Sequence, residues 1–152
     1  MVNCGVLHAR VYADANRGYT GYLLDTNICI YLIKKHPPEV LARFQQIQLR
    51  QLHIPTITVF ELYYGIEKNN SQQRNLAALE NFIAPLTIVD FTLDAAKKAA
   101  KIRNSLQKQG TPIGACDIQI AACALSHNMT LLTNNTREFE RVKGLKLENW
   151  VG

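Results

Sequence analysis

The sequence predicts an α/β fold, a mostly parallel sheet of about four to five strands with helices on both faces. Two observations carry this. Short apolar runs alternate along the chain with longer stretches whose apolar residues recur at helical spacing. Clusters of Pro, Gly and Asn separate the two kinds of segment. Because each right-handed crossover brings the chain back in the same direction, every strand then ends at one rim. A length of 152 residues allows one domain with a real core and is too short for two of ordinary size.

The first strand is Tyr22-Leu23-Leu24, a run too short for a core helix. Asp25 ends it, and Ile28, Tyr31 and Leu32 then mark one face of a helix. Pro37-Pro38 cannot continue that helix but suits the first turn of the next. Glu39 lies near the start of this second helix, and Val40, Leu41, Phe44, Ile47 and Leu52 supply its apolar stripe. His53 to Ile57 reads as the second strand, with Pro55 placed where no N–H is required. Thr58-Val59-Phe60-Glu61 matches a capping box and is expected to open the third helix. Phe60, Leu62, Tyr63, Tyr64 and Ile66 crowd that helix, so some aromatic surface should be exposed or used at an interface.

Ser71 to Phe82 is a fourth helix, closed by Pro85, and Leu86 to Phe91 is the third strand. Thr92 to Gln109 reads as a long helix with Asp94 in its first turn and Gly110 beyond its end. Lys97, Lys98, Lys101, Arg103 and Lys108 decorate it, a pattern read as a solvated face rather than a track for RNA. After the loop Thr111–Cys116, Asp117 opens a helix through Leu125 whose small residues suit close packing on the sheet. Met129 to Asn135 is the fourth strand running into a polar turn, and Leu145 to Trp150 alternates as an edge strand.

A net charge of +5 and a pI near 9.1 favour a polyanionic partner, nucleic acid or an acidic protein. No apolar stretch approaches the roughly 20 residues that span a bilayer, and the first residues lack the apolar core of a secretory signal. A cytoplasmic location with no membrane partner is the resulting expectation. Cys4, Cys29, Cys116 and Cys123 form no Cys-x-x-Cys pair and are expected to be reduced thiols without a metal. The sequence contains no Gly-rich phosphate loop.

Asp25, Glu61, Asp117 and the Thr133-Asn134-Asn135 turn all fall at strand ends or helix starts along one rim. Each has a capping explanation as well. Clustered carboxylates raise one another's pKa unless a cation neutralises them. Oxygen-only ligands suit Mg²⁺ or Mn²⁺ rather than zinc. Such an ion can activate water and stabilise the charge that builds on a phosphodiester, so a basic chain with this cluster reads as a nuclease.

Leu23-Leu24-Asp25-Thr26-Asn27, the Thr58-Val59-Phe60-Glu61-Leu62-x-x-Gly65 start, Asp117-Ile118-Gln119-Ile120-Ala121-Ala122 and Thr133-Asn134-Asn135-Thr136-Arg137-Glu138-Phe139 occur in that order. Together they resemble the signature blocks of the PIN domain, and more closely the VapC toxins of type II toxin–antitoxin pairs. The resemblance implies a PIN-domain fold over residues 22–152, with residues 1–21 an extension that is disordered or not native to the domain. It implies that Asp25, Glu61 and Asp117 are catalytic and bind Mg²⁺, which Mn²⁺ could replace. Asn135 falls where PIN domains often carry Asp. A neutral amide ligates a cation more weakly, so Asn135, Thr133 and Asn27 are expected to orient substrate or support the acids.

The implied activity is site-specific endoribonuclease cleavage of tRNA in the anticodon stem-loop, or of ribosomal RNA, which inhibits translation. The implied partners are a VapB-like antitoxin and a second copy in a homodimer. Ile30, Tyr31, Ile33 and Phe44 would line the antitoxin groove, although core packing explains them too. Asn135 keeps open a non-catalytic PIN-like module that binds RNA or antitoxin. A Mg²⁺-dependent phosphatase or deoxyribonuclease would use the same chemistry, but Asp25-Thr26-Asn27 lacks the second aspartate of the haloacid-type phosphatases.

Overall fold

The computed structural model describes residues 21–69 and 72–151. The expected extension over residues 1–21, Gly21 apart, lies outside them, as does Cys4. The strands are β1 (Tyr22–Leu24), β2 (Leu52–Pro55), β3 (Thr87–Val89), β4 (Thr130–Leu132) and β5 (Leu147–Glu148). Between β1 and β2 come α1 (Thr26–Lys34), α2 (Pro38–Gln46) and a 3₁₀ turn at Leu49–Gln51. Next come α3 (Thr56–Glu67) and α4 (Gln72–Ile83), followed after β3 by α5 (Leu93–Lys108) and α6 (Ala115–Ser126). A short helix, α7 (Thr136–Phe139), links β4 to β5.

All four strand pairings are parallel, in the order β3-β2-β1-β4-β5. The chain passes from β1 to β2 on one side and later places β4 on the other, so the strand order reverses between β1 and β4. Crevices at the carboxyl end of such a reversal are where open α/β sheets bind ligands. Alternation along the strands fills two cores. Leu23, Leu131 and Val89 face α5, α6 and Phe139 of α7. Leu24, Leu132 and Ile54 face the other way, toward Ile28, Leu32, Val40, Leu62 and Leu79 from α1 to α4.

Several boundaries differ from the sequence reading. The second helix stops at Gln46 because Ile47 turns extended, and Leu52 belongs to β2. Helix α3 starts at Thr56, so no capping box forms at Thr58-x-x-Glu61. The buried Thr58 hydroxyl instead donates to the Leu24 carbonyl at 3.3 Å, and Glu61 moves to the second turn. Asp117 is likewise the third residue of α6 rather than its first. The polar turn after β4 closes into α7.

Candidate active site

The site is built at the β1–β4 reversal. The Asp25 N–H donates to the Leu132 carbonyl at 3.0 Å, tying the ends of the two strands together. Its side chain, only 4% exposed, is held on both oxygens. Oδ1 accepts from the Thr26 N–H at 2.8 Å, and Oδ2 accepts from the Thr133 hydroxyl at 2.8 Å. Asp25 therefore caps α1 and is anchored to β4 at once, so the capping reading and the site reading describe one residue. Thr133 is itself fixed, its N–H donating to the Glu148 carbonyl of β5 and its Oγ1 accepting from the Asn135 N–H at 2.9 Å.

Thr26 joins a second acid to the first. Its hydroxyl donates to Glu61 Oε1 at 2.8 Å, so α3 and α1 are bridged directly beside Asp25. Asp117, partly buried in the first turn of α6, hydrogen-bonds Glu138 of α7. Asn135 donates from Nδ2 to Glu138 Oε2 at 3.1 Å. Asn27 is exposed on the first turn of α1, outside the bonds that fix Asp25 and Glu61.

The charges acting on Asp25 and Asp117 are those of other carboxylates. Burial raises the Asp25 pKa, the bonds from Thr133 and the Thr26 N–H oppose this, and Glu61 and Glu138 push it up again. Asp117 is pushed up to about 7, first by burial, then by Asp25, Glu138 and Glu61, and by its bond to Glu138. Two carboxyl groups can share a hydrogen bond only if one keeps its proton. Near neutrality, then, Asp117 is partly protonated. Among the described residues no three His, Cys, Asp or Glu side chains already converge on one ion position.

The structure thus brings Asp25, Glu61, Asp117, Thr133 and Asn135 into one linked cluster. It adds Glu138, which the sequence reading passed over. The signal was available: Glu138 lies three residues after Asn135, the spacing of neighbours on a helix, in a block already singled out.

Residues 22–145 match the profile of the PIN domain family. The chain belongs to the PIN-domain family. Ribonuclease VapC2 of Haemophilus influenzae strain Rd is 49% identical over 130 residues, covering 86% of this chain and 98% of that protein. The tRNA(fMet)-specific endonuclease VapC of Shigella flexneri is 44% identical over 129 residues, 85% of this chain and 97% of that one. The crystal structure of DNA-bound VapBC from Salmonella typhimurium superposes with a TM-score of 0.82 at 41% identity, covering 88% of this chain and 100% of that one. Within the PIN family the chain stands with the VapC toxins of type II toxin–antitoxin systems.

Beside the acids of this PIN domain an apolar groove of about 290 Å³ runs between α1, α3 and α4. Ile30 and Ile33 line it, and Glu61 belongs to both the groove and the acid cluster. Tyr31 and Phe44 do not line it. The Tyr31 hydroxyl accepts from Asn134 Nδ2 at 2.8 Å, and Phe44 stacks on Phe82 at 6.2 Å. No described helix is long and apolar enough to cross a membrane.

Proposed function

We propose that this chain is the endoribonuclease toxin of a toxin–antitoxin pair, cutting tRNA in a Mg²⁺-dependent reaction and so inhibiting translation in the cytoplasm. The observation that carries this reading is the hydrogen-bonded linkage of Asp25, Glu61, Asp117 and Glu138 at the β1–β4 reversal, with no cation among the charges acting on its two aspartates. The donors fit a hard ion. They are oxygen atoms only, and Mg²⁺ takes one or two carboxylates and keeps several waters, so it does not need three side chains already converged. Asp25, Glu61 and Asp117 would hold Mg²⁺, or Mn²⁺ in its place. When bound, the ion neutralises the carboxylates, lowers the pKa of a water and stabilises the charge that develops on the phosphodiester.

The chain's own groups prepare that chemistry. Thr133 and the Thr26 N–H keep Asp25 oriented and favour its ionised form. The proton held on Asp117 would pass to solvent if the carboxylates took up a cation. Asn135 fixes the Glu138 carboxylate, and Asn27 faces outward, where substrate arrives.

tRNA is favoured over ribosomal RNA as substrate by the Shigella flexneri relative named for tRNA(fMet). The net charge of +5 suits either RNA. A VapB-like antitoxin would place an apolar segment along Ile30 and Ile33 and reach the acids through Glu61. Exposed Phe60, Tyr64 and Leu93 support a homodimer.

The test is incubation of antitoxin-free protein with total tRNA in Mg²⁺ or EDTA, beside Asp25→Asn. Discrete cleavage that needs Mg²⁺ and vanishes in the variant is expected. Folded protein that binds RNA without cutting it would instead support the non-catalytic module.

A further inference from the structure

Beyond α7 the chain borders a second cleft, of about 320 Å³, formed with α5 and the end of α6. Its floor is apolar, from Ile102 and Leu125, and four cations line it: Lys98, Lys101, Arg141 and Lys143. No carboxylate does. Lys98 and Lys101 lie one helical step apart on a single face of α5. In the sequence they look like part of a solvated helix face. The fold sets them opposite Arg141 and Lys143, and that opposition makes a site.

Lys98 pairs with Asp94 at 2.8 Å, but both side chains are well exposed, and such a pair yields readily to a stronger anion. Among the described residues Lys101 and Lys143 make no ion pair. Arg141 is held in place, its Nη1 donating to the Pro112 carbonyl at 3.3 Å. That contact also connects the cleft to the acids. The Arg141 N–H donates to the Glu138 carbonyl at 3.2 Å, and Pro112 lies in the loop leading into α6, whose first turn carries Asp117. Arg141 thus links the cleft, through the chain, to Glu138 and to the loop before Asp117.

We propose that this cleft binds the phosphate backbone of the RNA on one side of the cut, and so sets where the strand lies over the acids. The inference rests on the ribonuclease reading above. RNA is a better fit than an acidic protein segment because Arg141 ties the cleft to the segments that carry Glu138 and Asp117. The apolar groove suited to a protein segment opens elsewhere, between α1, α3 and α4. Phosphates meet the four cations, while the apolar floor accepts ribose and base faces.

The test measures the affinity of the full chain for unfractionated tRNA by fluorescence anisotropy in EDTA across a salt series, with parallel cleavage assays in Mg²⁺. Lys101→Glu/Lys143→Glu is compared with Lys35→Glu/Arg74→Glu, which makes the same change in net charge on exposed residues of other elements. The cleft variant should weaken binding by about ten-fold or more and lower the slope of log Kd against log salt by about one to two. The control should change Kd by less than about three-fold. Equal loss in both variants, or no loss in the cleft variant, overturns the proposal. So does a cleft variant that loses polyglutamate binding but keeps tRNA.

Lys101→Ala/Lys143→Ala takes over if melting shows that the Glu variant does not fold, with about half the slope change expected. Native protein that cuts tRNA while cleft variants bind normally defeats this proposal and leaves the ribonuclease reading standing. Cleft-dependent binding without any cutting defeats the ribonuclease reading and leaves the cleft as an RNA-binding site alone.

Discussion

Asp117 is where carboxylate crowding has its largest thermodynamic consequence. Its pKa rises from 3.8 to about 7 on folding, so the folded chain holds a proton that the unfolded chain releases. The stability this contributes is full below about pH 4 and is lost as pH rises toward 7. In the metal-free protein, Asp117→Asn should flatten that loss and stabilise the fold near pH 8 by roughly 1–2 kcal/mol, after discounting for solvent screening of a partly exposed group. Urea unfolding at several pH values reads this directly, and parallel stability curves for the two proteins would refute it. Thr133 acts on the neighbouring acid. Thr133→Val removes the hydroxyl bonded to Asp25 Oδ2, so the Asp25 pKa should rise further. Cleavage should fall about 10- to 100-fold and its pH profile should move upward, whereas an unchanged profile would show that this bond does not tune the acid. The sequence singled out Asp25 and Asp117 because each lies near a recognisable strand end or helix start, and Glu61 through a capping-box pattern that the fold does not use. Glu138 was passed over because its four-residue helix is too short to show a period, although its spacing from Asn135 could have marked it.

At the scale of elements, α3 is docked by a buried polar contact as well as by Leu62. Thr58→Val would leave the Leu24 carbonyl without its hydroxyl partner in a dry core, at a cost of about 1–2 kcal/mol. The urea midpoint should fall accordingly, and cleavage should fall too because α3 carries Glu61. A midpoint within error of the native value would mean that α3 is held by its apolar face alone. The strands were legible as short apolar runs closed by turns, and α5 by Asp94 in its first turn and by Gly110, whose φ of +71° suits glycine beyond the helix end. The start of α3 was not legible. Thr58 and Glu61 satisfy the capping-box pattern in sequence, yet both side chains are taken by tertiary partners, Leu24 and Thr26. Local pattern and long-range contact compete for the same groups, and only the fold reveals the winner.

Across the whole molecule, the sheet order places β1 beside β4 and so brings Asp25 to Thr133, far apart in the chain, at the one crevice where the strand order reverses. The four motif blocks announced that assembly by occurring in order. They did not announce the basic cleft, because Lys98 and Lys101 meet Arg141 and Lys143 only through the packing of α5 beside the segment that follows α7. The acids are suited to a metal and the cations of the cleft to phosphates. The central claim, that the four carboxylates form a single metal-dependent site, is tested most directly by calorimetric titration of the metal-free chain with Mg²⁺ near pH 6.5, in two buffers of different ionisation heat. Mg²⁺ binding should be accompanied by proton release in the native chain, with binding lost in Asp25→Asn and proton release suppressed in Asp117→Asn. Equal Mg²⁺ binding by Asp25→Asn, or native binding that releases no proton, would contradict it.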